Sequence, residues 1–164
     1  MKPEFRVSAR IAKPIAEVFD AVVNPTKLSS YFTTMKGASA PLTPGATVVW
    51  WGEVPVEVDE VLADKRIVLR WDASNATDGK TAYKTRIEMN FEPLEDGATL
   101  VTIAETGWRE DPEGQRASYR NCEGWTQMLC CMKAFVEHGI NLREGYYQSE
   151  LRGDYACEPK PEIQ

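Results

Sequence analysis

The chain has 164 residues, 43% of them hydrophobic and 27% charged, with a formal net charge of −6. That length and composition suit a single globular domain with one real core. An acidic balance without any Lys/Arg run excludes a general electrostatic attraction to nucleic acid or to an anionic membrane, so neither is expected as a partner.

In chain order, Phe5, Val7, Ala9 and Ile11 alternate with Arg6, Ser8 and Arg10, the pattern of a half-buried strand. Pro14 then stands at a helix start, and Ile15, Val18, Phe19 and Val22 recur at helical spacing. Asn24-Pro25 supplies the cap and first residue of a short second helix. The middle of the chain carries strand signals throughout: "ATVVWWG", "PVEVDEVL", "RIVLRW", "AYKTRIEMNF" and "TLVTIAET". In the fourth of these, Tyr83, Thr85, Ile87, Met89 and Phe91 share one face. Asp78-Gly79 and Asp96-Gly97 are turn dipeptides, so the runs are expected to form an antiparallel meander of about five strands, with residues 5–11 as a sixth. A long helix follows, opened by Asp111-Pro112 and stopped at Gly139. This order is α+β. Residues 1–145 are expected to form the domain and 146–164 a polar C-terminal extension.

No apolar run is long enough for a signal peptide or a membrane span, which makes the cytoplasm the expected location, with reduced thiols. Three of the four cysteines and the only histidine fall on the final helix. Projected at 100° per residue, Trp125, Met128, Leu129, Met132, Phe135 and Val136 fill one face about 100° wide. Cys131 and His138 lie on one flank, seven residues and roughly 10.5 Å apart along the axis. Cys122 is on the other flank, and Cys130 points to the polar side. One zinc ion cannot bridge that spread, and neither can a thiol–imidazole pair. No metal and no cofactor are therefore expected. Cys122 and Cys131 read as half-buried packing residues, and His138 as a favourable charge at a helix C-terminus.

The segment "KPIAEVFDAVVNPTKLSSYF" resembles the opening of the START-like (SRPBCC) superfamily at Pro14, Val18, Phe19, Ala21, Pro25, Leu28 and Tyr31-Phe32. Within that superfamily, "TGW" at Thr106–Trp108 and "EGWTQMLCCMKAFVEHG" are most similar to the branch named for the activator of heat-shock-protein-90 ATPase (AHSA-type). Gly124-Trp125, Leu129, Met132, Phe135 and Gly139 carry that likeness. The resemblance covers about residues 5–140. It implies a helix-grip fold, in which a curved antiparallel sheet wraps a long C-terminal helix and leaves a cavity between them.

The leading expectation is a non-enzymatic module for a small apolar or aromatic ligand, walled by Trp50, Trp71, Tyr83, Ile87, Met89, Trp125, Met128 and Met132. Rigid aromatics beside adaptable thioethers suit such a site, and the chain has five Trp and five Met. The family implies a chaperone partner as the alternative. A cyclase- or hydrolase-type enzyme would need converging polar groups; the candidates Glu60, Glu105, Arg70, Arg86, Tyr83 and Tyr119 show no recognisable catalytic spacing.

Overall fold

The computed structural model describes residues 1–73 and 82–147. Among these residues the elements follow as β1 (Phe5–Ile11), α1 (Ile15–Val23), α2 (Pro25–Tyr31), β2 (Thr47–Trp50), β3 (Val54–Leu62), β4 (Arg66–Asp72), β5 (Lys84–Pro93), β6 (Thr99–Thr106) and α3 (Pro112–His138). The strands form one antiparallel sheet in the order β1-β6-β5-β4-β3-β2. The meander is therefore β2 to β6, and β1 joins it beside β6. With α3 laid on this curved sheet, the architecture is the helix-grip fold. The Asp78-Gly79 turn and Cys157 lie outside the described residues.

Local chemistry accounts for the element ends. The Asn24 side chain accepts hydrogen bonds from the Thr26 and Lys27 amides, at 3.0 and 3.3 Å, and starts α2. Asp111 does the same for α3 through the Gly114 amide at 2.7 Å, with Pro112 in the first turn. A cap of this kind contributes about 1 kcal/mol. Gly139 ends α3 in the left-handed region, at φ 69°, with its amide on the Phe135 carbonyl. That bond is the one an αL cap makes, and the Ile140 amide reaches the Ala134 carbonyl beside it. Ile140 is more than half exposed.

The inner face of the sheet follows from period-two alternation. On β6 the buried positions are Thr99, Val101, Ile103 and Glu105. On β5 they are Thr85, Ile87, Met89 and Phe91. Tyr83 does not continue that row. It precedes β5 and packs in a separate small cluster with Ala73, Trp108 and Ala117, under the Arg109 guanidinium, 4.4 Å from its ring centre.

At the C-terminal half of α3 the space between helix and sheet is filled. Met128 and Met132 are fully buried in one cluster with Ile87, Met89 and Ile103. Phe19 of α1 meets Phe91 edge-on at 5.1 Å, and Tyr31 of α2 stacks on Phe135 at 5.3 Å. The two short helices therefore plug this end of the groove. No described helix is long and apolar enough to cross a membrane.

Candidate functional site

The other end of the groove stays open. Here β2, β3 and β4 diverge from the N-terminal half of α3, and the walls are aromatic. The turn from β2 to β3 sets one of them. Its central residues, Trp51 and Gly52, both have positive φ, 52° and 72°, the pattern of a type I′ turn. A tryptophan in the left-handed region is unusual and costs energy. It turns the Trp51 indole back over the groove, where Nε1–H donates to the Phe32 carbonyl at 3.2 Å. Phe32 stacks on Trp125 at 5.6 Å, and Trp125 stacks on Trp71 at 5.3 Å. Trp50 stands edge-on to Trp71 and to Phe32.

Behind these rings lies Glu105, fully buried. Four side chains donate to its carboxylate: Thr85 Oγ1–H at 2.5 Å, Trp71 Nε1–H at 2.9 Å, Trp125 Nε1–H at 2.9 Å, and Asn121 Nδ2–H at 3.1 and 3.2 Å. Burial pushes the Glu105 carboxyl above the usual carboxylate range, while the four donors oppose that shift. The network fixes the planes of both indoles and of Asn121, which sits one helical turn before Trp125. Trp50 Nε1–H and Trp108 Nε1–H are buried without a hydrogen-bond partner among the described residues.

The cleft has two adjoining lobes, which share Trp51, Trp71, Arg120 and Asn121. The larger holds about 670 Å³ and carries Glu53, Asp72 and Glu113 on its walls. The smaller holds about 160 Å³ and lies among Phe32, Trp71, Trp125, Gly124, Arg143 and Tyr147. Gly124 matters here because a Cβ built on it would meet nothing within 4 Å. Its missing side chain leaves room at the small lobe. Past the end of α3 the chain folds back along the helix, so that the Tyr147 hydroxyl donates to Gln127 Oε1 at 3.0 Å. The Arg143 guanidinium then lies 5.6 Å from the Phe32 ring centre and 5.0 Å from that of Tyr147.

The eight expected lining residues therefore separate into groups. Trp71 and Trp125 line the cleft. Trp50 backs it from the core, while Ile87, Met89, Met128 and Met132 are packed core residues and Tyr83 belongs to the outlying cluster. Among the residues expected of an enzyme, Glu105 is in the site. Glu60, Arg70 and Arg86 are held in ion pairs with Arg66, Asp59 and Glu88 on the outer face of the sheet, and Tyr119 is exposed. Sequence reasoning missed Phe32, Trp51, Asn121, Gly124 and Arg143. One signal was available for Asn121: it precedes Trp125 by four residues on the same helix face. Glu105 likewise falls in phase with Val101 and Ile103, which places a carboxylate in a core row. Cys131 is fully buried rather than half-buried, Cys122 is half-buried and Cys130 exposed. Among the described residues no group of three or more His, Cys, Asp or Glu side chains could hold a metal ion.

The family model for Activator of Hsp90 ATPase homolog 1-like protein matches residues 12–137, so the chain belongs to that family. No curated protein matches it. Among solved structures it is similar to SSP2350 from Staphylococcus saprophyticus, at 23% identity and a TM-score of 0.69, over 86% of this chain and 96% of that one. It is similar to PFC0360w, an HSP90 activator from Plasmodium falciparum, at 18% identity and a TM-score of 0.65, over 83% and 96%. DynU16, a protein of the dynemicin biosynthetic locus, aligns at 22% identity and a TM-score of 0.70 over 84% of this chain. The present chain spans about half of DynU16, 48% of its length. At these identities the likeness shows the fold.

Proposed function

We propose that this protein binds a small apolar or aromatic molecule in the cleft between the β2–β3 turn, β4 and the N-terminal half of α3. The observation that carries this reading is the set of stacked rings, Phe32, Trp125 and Trp71, aligned beside open space and locked by the buried Glu105 network. Rings already held in place lose little freedom when a ligand stacks on them, which favours binding. Both carboxylate oxygens of Glu105 are engaged by protein donors, which supports a binding role over acid–base chemistry.

Gly124→Leu tests the reading, since it adds a side chain where only open space is found. A neutral naphthalene probe is expected to quench tryptophan emission saturably in the wild type. The variant should lose that quenching while keeping the wild-type melting temperature or exceeding it. A wild type that never saturates, or a variant that binds equally well, would defeat the proposal.

A chaperone contact is the second reading, supported by the family to which the chain belongs and by its likeness to the Plasmodium HSP90 activator. Stimulation of a heat-shock-protein-90 ATPase by the purified chain would favour it over the ligand reading.

A further inference from the structure

The cleft's two lobes differ in charge. The large lobe carries three carboxylates, Glu53, Asp72 and Glu113, beside one guanidinium, Arg120. Among the described residues the small lobe is lined by two guanidiniums, Arg120 and Arg143, and by no Asp or Glu side chain. That is a local inversion in a chain of net charge −6.

The two arginines are not equivalent. Arg120 is paired with Glu113 at 3.3 Å. Arg143 has rings on two sides, Phe32 and Tyr147, and among the described residues it makes no ion pair with a carboxylate. Contact with two rings restrains the guanidinium and strips part of its water, and both effects strengthen its attraction for an anion. Its planar fork suits a carboxylate best. Glu105 lies behind the rings with its oxygens already on four donors, and Arg120 is paired with Glu113, so among the lining cations Arg143 is the one without a carboxylate among the described residues. A space of about 150 Å³ holds one benzene-sized ring. The small lobe, at about 160 Å³, therefore accepts a single ring or a short branched chain, with any remainder reaching into the larger lobe.

We infer that the ligand is an aromatic or apolar carboxylate, whose ring stacks beside Trp71 and Trp125 and whose carboxylate pairs with Arg143. This rests on the binding reading above and names the chemical class that the site selects.

The test uses two probes of nearly equal shape, 1-naphthylacetate and its neutral amide, titrated against the full chain by tryptophan quenching. A charge-assisted pair corresponds to roughly 10- to 100-fold in affinity. The wild type is expected to prefer the acid by about that factor, and the preference should shrink as salt is added. Arg143→Gln should abolish the preference; because it also loses contacts with the Phe32 and Tyr147 rings, the readout is the ratio of acid to amide affinity, which falls to about one, whatever happens to the affinity both probes share. Gly124→Leu should remove both probes. If the wild type binds acid and amide equally, or if Arg143→Gln keeps the preference, the anion inference is wrong and the cleft reading survives. If Gly124→Leu leaves acid binding intact, the acid binds elsewhere and the inference is equally wrong. If neither probe binds the wild type, the cleft reading falls and takes the inference with it.

Discussion

The two halves of α3 face the same sheet and end in opposite environments. From Met128 to Phe135 the helix packs into one core cluster with Met89, Ile87 and the aromatic rings of α1 and α2. From Ala117 to Trp125 it faces Trp71, Thr85 and Glu105, and the cleft opens. Part of the contrast is in the helix's own sequence, since its large apolar residues begin at Trp125 and the half before it buries only Gly114, Ala117 and Ser118. The rest comes from what lies across the gap. Two short helices fill one end, while at the other the Trp51 indole is turned back over the groove and Gly124 places no side chain in it. An apolar stripe thus marks the buried face of a helix, and its partners decide whether that face is core or pocket.

The largest effect should come from cutting into the filled half. Met128→Ala is expected to cost about 2–5 kcal/mol, as deletions in closed cores do. Met128→Trp should cost about 1–3 kcal/mol through overpacking. Neither should change probe binding in the cleft by more than its effect on the folded fraction. Denaturant melts beside quenching titrations check this. A Met128→Trp protein of undiminished stability that had lost probe binding would mean that the pocket extends into the supposed core.

Next in size is the polar network of the open half. In Glu105→Gln an amide donor replaces one acceptor, so at least one of the four donors to Glu105 loses its partner. The expected cost is about 1–3 kcal/mol. The pH dependence carries a sign. Burial raises the folded carboxyl above its usual 4.5, so in the window from there up to the raised value the folded state holds more protons than the unfolded chain. Wild-type stability relative to Glu105→Gln should therefore be greatest at acid pH and should fall as pH rises through that window. A rise instead would mean that the donors outweigh burial.

The smallest effect is the most discriminating. Gly124→Ala adds a methyl group to a helix interior where nothing stands in its way. It should stabilise by roughly 0.5–1 kcal/mol. It should also weaken probe binding measurably, which no substitution confined to the filled half should do. Thermal melts and the naphthalene titration together check the pair of effects.

The element order, the caps and the faces were legible in the sequence because each depends on neighbours along the chain. Period-two alternation placed the inner rows of β5 and β6, and Asn24, Asp111 and Gly139 are local devices that act within one turn. The family resemblance added the helix-grip arrangement, which the family match and the fold bear out. The site was only partly legible. Trp71 and Trp125 were named for their size and apolar face, and they line the cleft. Met128 and Met132 were named by the same rule and proved to be core, because Tyr31, Phe19 and Phe91 come from distant parts of the chain to fill that end. The convergence of Glu105, Thr85, Trp71 and Asn121 has no sequence period, since β4, β5, β6 and α3 each contribute one of them. Arg143 lies beyond the last helix and reaches Phe32 only because the chain folds back along α3. Sequence by itself determined which face of each element is apolar, since that follows from local periodicity. Tertiary structure alone decided where apolar faces meet filler and where they meet space, because that depends on contacts between residues far apart in the chain.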